Sequence, residues 1–222
     1  ILMLDILYNV HKHLDMGMAI TPTADTQRDL RKIMPDSCIH DKFNEDKVNG
    51  LLEVLEAFAL INDGNENEKK KIWFILDDCM FDPKIAKTEA MKNIHMNGRH
   101  LGLFVINIIQ YVKSVPPDIR GQIDYVFALK ESSKENRKKL YTEFFGMFDN
   151  FDNFNETFTN LTENRHCLVL DNRCTTNKIE DCVFWYKATF PIPVFTMGNR
   201  DLWKLHYQLY KPKIMEFLDK VP

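Results

Sequence analysis

The residues of this 222-residue chain best suited to chemistry are two adjacent carboxylates, Asp77 and Asp78, which directly follow the apolar run Ile72 to Leu76. Two aspartates at the end of a buried strand can divide labour: one holds Mg²⁺ through its water shell, and the other orients or deprotonates an attacking water. Two further apolar runs end in polar side chains. Gln110 closes LGLFVINII, and Thr21 and Thr23 follow a short strand near Ala19. In an open parallel sheet, ligands sit beyond the carboxyl ends of the strands, where loops and helix N-termini converge. These three strand ends therefore define one candidate site. The carboxylate pair alone does not decide the matter, because Asp also ends strands by starting turns and capping helices.

Other reactive side chains carry less. His95 and His100 lie near a predicted helix end, where a lone histidine is a surface or capping residue. His11 and His13, two apart on a predicted helix, point to different faces and do not form a metal pair. The five cysteines, Cys38, Cys79, Cys167, Cys174 and Cys182, show no CxxC pair and no zinc spacing, and read as reduced thiols of a cytosolic-type compartment. Cys79 follows the aspartates where a small buried residue suffices. Arg137, Lys138 and Lys139 form a basic cluster at a predicted helix start, read as solvated surface in preference to a DNA or subunit contact.

Composition bounds the function. With 45% hydrophobic and 27% charged residues, the chain is globular, and at this length it buries roughly 70% of its unfolded surface without needing disulfides or a structural metal. Net charge is −3, from 29 basic and 32 acidic residues, which excludes a global basic coat for nucleic acid and makes any DNA contact local. The most apolar stretch, Leu101 to Val112, is interrupted by Asn107 and Gln110 and is too short for a bilayer crossing of about 20 residues.

The elements that must position the aspartates alternate between strand and helix. Ile1 to Leu14 reads as a helix, followed by short strands near Met18–Thr21 and Cys38–His40. A helix over about Asp46–Ile61 carries Leu51, Leu55 and Phe58 on one side with Val54 and Ile61 beside them. The charged run 62–71 reads as a solvated connection. IWFIL suits a central parallel strand covered on both faces. A helix over about Pro83–Asn97 stops at Gly98, and LGLFVINII, IDYVFALK, CLVLD and VFWYK supply further strands of the same sheet. A helix spans Lys134–Phe148, whose aromatic run (Phe144, Phe145, Phe148, then Phe151 and Phe154) reads as core or subunit interface. A final helix runs over Asn199–Val221. The alternation argues a doubly wound α/β sheet.

Taken together, WFILDDCMFD, MNGRHLGLFVINIIQ, PPDIRGQIDYVFALKE, NRKKLYTEFFGMF and NKIEDCVFWYKA, in this order, resemble the genome-packaging ATPases of large nucleocytoplasmic DNA viruses. These are the poxvirus-type branch of the FtsK/HerA P-loop superfamily. The resemblance spans most of Ile1 to Ala188. It implies a P-loop NTPase-like α/β/α sandwich of RecA/FtsK-HerA type with a mostly parallel central sheet, over residues 1–190, and a helical extension over 191–222 packed on the same domain. It further implies ATP and Mg²⁺ as cofactors, with Asp77 as the metal-positioning aspartate and Asp78 as the catalytic carboxylate. Gln110 is similar to the polar sensor of the γ-phosphate. Arg99, in NGRHLG, resembles an arginine finger that reaches a neighbouring subunit's nucleotide, and Arg120, in DIRGQID, is a second nucleotide-binding candidate.

The resemblance departs at one place. The chain contains no GxxxxGK[ST] run, the loop whose N–H groups cradle phosphates. It opens at Ile1 inside an apolar periodic segment, so the expectation is a fragment that starts just after that loop and is inactive alone. The implied partners are double-stranded DNA, identical subunits in a ring and capsid or portal proteins, with no membrane span. The implied location is the viral assembly site in the host cytoplasm or the virion. A non-catalytic structural or interaction protein that kept the fold is the alternative reading, and a cellular chromosome or plasmid DNA pump is a third.

Overall fold

The structure, a computed structural model, describes residues 1–61, 70–79, 82–176 and 178–212. The chain divides into two compact units. One comprises Leu7–Gln110 with the residues from Pro193 onward, and the other Ile1–Ile6 with Tyr111–Ile192. Helix α1 (Leu2–Val10) contributes residues to each.

The first unit is built on a parallel four-stranded sheet in the order β2-β1-β3-β4, where β1 is Met16–Ile20, β2 Ile39–His40, β3 Ile72–Asp77 and β4 Leu103–Ile108. All six residues of β3 are buried, as an unbroken apolar run in a parallel sheet covered on both faces requires. Close packing is tightest at Gly17, whose added Cβ would lie 2.2 Å from the Trp73 carbonyl oxygen and 2.4 Å from its ring. Only glycine lets β1 approach Trp73 at that point.

Helix α2 (Ala24–Leu30) follows β1 after the short segment Thr21–Thr23. Helix α3 (Glu45–Ile61) buries Val48, Leu51, Leu52 and Leu55, the i, i+3, i+4, i+7 stripe of one helix face. Val54 and Ile61 fall outside that stripe and are exposed. The predicted helix over Pro83–Asn97 is two helices, α4 (Pro83–Ala86) and α5 (Glu89–Asn97). The break is at Thr88, whose hydroxyl accepts from the Met91 amide at 3.3 Å and caps α5. Helix α10 (Arg200–Leu209) starts at the Asn199 cap. The predicted continuation beyond 212, and most of the predicted 62–71 connection, lie outside the described residues.

In the second unit, β5 (Tyr125–Ala128), β6 (His166–Asp171) and β7 (Val183–Lys187) pair with one another antiparallel, in the order β5-β6-β7. They do not continue the parallel ladder, which corrects the expectation that these runs finish the same sheet. A parallel return needs a crossover of about a dozen residues or more, and residues 172–182 with the short helix α9 (Ile179–Cys182) favour the antiparallel sense. The predicted helix from Lys134 ends early, as α7 (Lys134–Glu143). The chain then turns so that Phe145 and Phe148 enter the core, and α8 (Phe151–Leu161) restarts from the Asn150 cap. Phe145, Phe154 and Phe158 are fully buried there, so the aromatic run is core. Helix α6 (Pro117–Arg120) is a single turn. At the start of the chain, the Tyr186 hydroxyl donates to the buried Asp5 at 2.5 Å.

Candidate active site

The register of the parallel strands brings the polar strand ends to one rim. Ile20 pairs with Leu76, so Thr21 falls beside Asp77, and Asp77 pairs with Ile108, two residues before Gln110. The fully buried Thr21 donates its hydroxyl to Asp77 Oδ2 at 2.8 Å. Thr21 is itself fixed from three sides. Its amide donates to the His40 carbonyl at 2.9 Å, its hydroxyl accepts from the Thr23 amide at 3.3 Å, and its carbonyl accepts from Gln27 Nε2 at 2.9 Å. Asp77 is thus a buried carboxylate held in one orientation by a hydroxyl that has no freedom of its own.

Asp78 is differently placed. Its backbone turns into the left-handed region at φ +53°, where Asp is among the few non-glycine residues at ease. Its amide still donates to the Ile108 carbonyl at 3.1 Å, so the turn happens at the last rung of the β3-β4 ladder. The half-buried carboxylate accepts from Gln110 Nε2 at 3.0 Å, and Gln110 is exposed at the rim. One aspartate therefore belongs to the buried strand end and the other to the accessible edge.

The buried Cys79 closes the floor. Its thiol donates to the carbonyls of Ile20, at 3.4 Å, and Asp77, at 3.3 Å. Burial pushes this thiol up to about 11, and the nearby carboxylates of Asp77 and Asp78 push the same way. A thiol so disfavoured as thiolate is inert, which agrees with a purely structural reading.

Among the described residues neither Asp77 nor Asp78 takes part in an ion pair. No set of three His, Cys, Asp or Glu side chains among them converges on a cation. This donor set suits Mg²⁺ in its nucleotide-bound mode, where one or two carboxylates and substrate phosphates hold an ion that keeps most of its waters. It does not suit Zn²⁺ or a caged Ca²⁺.

Arg99 is elsewhere in the same unit. Arg99 lies in the exposed turn between α5 and β4, beside Gly98 and Gly102. The Gly102 carbonyl accepts from the Ile72 amide, which fixes that turn at the starting edge of β3 and β4. Six strand residues at about 3.3 Å each put it roughly 20 Å from the carboxylate rim. The structure does not bring Arg99 to the aspartates of its own chain. Arg120, in the other unit, pairs with Glu143 at 2.8 Å, both side chains largely buried. Gln27 is the site residue that the sequence reading missed. Its signal was the helical spacing of α2 immediately after Thr23.

No family model matches the chain. Protein L437 of Acanthamoeba polyphaga mimivirus is 32% identical over 216 residues, covering 94% of this chain and 74% of L437. The chain belongs to the L437 family. Protein 075L of Invertebrate iridescent virus 6 is 29% identical to this L437-family chain over 189 residues, 84% of it and 69% of 075L. Among solved structures, the genome packaging NTPase B204 of Sulfolobus turreted icosahedral virus 2, in complex with AMPPCP, matches with a TM-score of 0.52 at 14% identity, covering 84% of this chain and 88% of B204. EssC (ATPases 2 and 3) of Geobacillus thermodenitrificans matches with a TM-score of 0.53 at 13% identity, over 95% of this chain and 42% of EssC. At such identities the likeness is one of fold. The L437-family chain has the α/β fold of P-loop NTPases, with its parallel sheet and flanking helices.

Proposed function

We propose that this chain is the core of an ATP-driven translocase that packages double-stranded viral DNA, of the poxvirus-type branch of the FtsK/HerA superfamily. One observation carries the proposal: Asp77, Asp78, Thr21 and Gln110 share the carboxyl-end rim of a parallel sheet, joined by two hydrogen bonds of 2.8 and 3.0 Å. Support comes from the viral relatives and from a fold shared with a viral packaging NTPase.

In this reading a bound Mg²⁺ would supply charge neutralisation for the nucleotide's phosphates, with Asp77 and Asp78 as the carboxylates that would hold it. Asp77 would position the ion, and Thr21, donating to its carboxylate at 2.8 Å, would keep it in one rotamer so that no reorganisation is needed at the moment of reaction. Asp78 accepts a proton from, or aligns, the attacking water. Gln110, which donates to the Asp78 carboxylate at 3.0 Å, would serve as the polar sensor of the γ-phosphate. Arg99, on the far edge of the sheet, serves the nucleotide of a neighbouring subunit, which requires a ring. Loops around Lys113 to Arg120 meet DNA phosphate locally, a contact that weakens with salt. Capsid or portal proteins complete the assembly, at the viral assembly site or in the virion.

The proposal requires a phosphate cradle, and the 222 residues contain no GxxxxGK[ST] run to supply it. The test is DNA-stimulated ATP turnover by protein expressed with the coding sequence upstream of Ile1. Asp78→Asn and Arg99→Ala should each lose at least about 10²-fold, and mixing Arg99→Ala with Asp78→Asn subunits should restore part of it. Unchanged turnover in both variants refutes these roles. A second reading, a non-catalytic relic of the fold, is favoured by the same missing loop, and an in-frame start codon at the beginning of the α1 coding sequence would select it.

A further inference from the structure

The connection between β6 and β7 holds two cysteines in an arrangement that the proposed ATPase chemistry does not use. Cys174 follows β6 and Cys182 ends α9, and both are reduced thiols. Each sulfur is tied to the other's stretch of backbone: the Cys174 thiol donates to the Asp181 carbonyl at 2.8 Å, and the Cys182 thiol donates to the Thr176 carbonyl at 3.2 Å. The Thr176 hydroxyl donates to Asp181 Oδ2 at 2.7 Å across the same loop. Cys182 is buried against the aromatic core, whereas Cys174 is partly accessible. Cys38, Cys79 and Cys167 are buried without a cysteine neighbour among the described contacts.

We propose that Cys174 and Cys182 form a reversible disulfide that staples the β6-β7 connection when the protein meets a small-molecule disulfide. The accessible Cys174 sulfur attacks glutathione disulfide, forming a mixed disulfide and releasing one glutathione thiol. Cys182 then attacks the Cys174 sulfur, the mixed bond breaks, and the second glutathione leaves as thiol. Two cysteine thiols are oxidised by two electrons and one disulfide is reduced to two thiols, so the exchange balances. Closure brings together two sulfurs that are each bonded to the other's stretch of backbone, to a bond length of about 2.05 Å. Partial burial, the Cys182 thiol, and the carboxylates of Asp171 and Asp181 all hold the Cys174 thiol above its ordinary range, which lowers its thiolate fraction and makes the first exchange slow at neutral pH.

The folded chain is incubated with glutathione disulfide, quenched with iodoacetamide and digested with trypsin without reduction. Cleavage after Arg173, Lys178 and Lys187 separates the two cysteines, so the expected product is peptide 174–178 joined to peptide 179–187, released by dithiothreitol. In Cys182→Ser the reaction should stop at one glutathionyl group on Cys174. Wild type that retains that group, carboxamidomethyl on both sulfurs, or a link from Cys174 to any other cysteine overturns the proposal. The wild-type peptide link is decisive even if the variant folds poorly, and none of these readouts depends on nucleotide hydrolysis.

Discussion

Replacing Thr21 by valine tests whether the Asp77 carboxylate is held by a designed donor or merely buried. The side chain is fully buried and its hydroxyl is 2.8 Å from Asp77 Oδ2. A hydrogen bond to a charged acceptor contributes about 1.5–3 kcal/mol, and its loss here leaves a buried oxygen short of a partner. The hydroxyl also accepts from the Thr23 amide at 3.3 Å, a long bond that adds less. The expected cost is about 2 kcal/mol, which for a domain of this size lowers Tm by about 4–8 °C. Guanidinium unfolding of wild type, Thr21→Val, Asp77→Ala and the double variant forms a cycle that isolates the pair, because the volume changes at each site cancel. A coupling energy of about 1.5 kcal/mol or more is expected. A value under about 0.5 kcal/mol would refute the claim that Thr21 orients Asp77. Thr21→Ser, which keeps the oxygen, should recover most of the loss.

Two further outcomes follow from the surroundings of Asp36 and of Arg120. Burial alone would raise the Asp36 carboxyl, but hydrogen bonds from Tyr210 and Arg31, with the charges of Arg31 and His206, hold it below its ordinary value of 3.8. A lowered folded-state value stabilises the protein above the unfolded-state value and is lost as pH falls through the folded one. Tyr210→Phe should therefore unfold at lower denaturant than wild type at pH 7, with the gap closing in acid below pH ~4, and a gap independent of pH would disprove the coupling. Arg120→Ala should destabilise by about 2 kcal/mol, because it leaves Glu143 largely buried without its cation, and Glu143→Gln should mimic it. Loss of ATP turnover at unchanged stability in the complete protein would instead place Arg120 at the nucleotide.

The legible part of the fold was the part in which one residue pattern has one structural solution. IWFIL is five large apolar residues between polar flanks, and β3 is buried along its whole length between two parallel neighbours. VFWYK has a similar composition, yet β7 is an edge strand with Phe184 and Trp185 exposed. Apolarity reports that a strand exists. It does not report whether both faces are covered, nor the sense of pairing, which depends on connections such as 172–182. Helix boundaries failed for a related reason: Thr88 and Asn150 each restart a helix through one side-chain cap, a local bond that hydrophobic periodicity does not register.

The site was legible because strand ends in a parallel sheet are a coordinate system. Once Thr21, Asp77 and Gln110 are each assigned to the end of a parallel strand, register brings them to one rim, and the structure adds the bonds Thr21 to Asp77 and Gln110 to Asp78. The same logic separates Arg99 from them, since a residue preceding β4 must sit one strand length away. A guanidinium about 20 Å from the carboxylates along the strands cannot stabilise charge developing at its own rim. If Arg99 contributes to phosphoryl transfer at all, it does so on another subunit, and the mixed-subunit assay then measures ring assembly and catalysis at once.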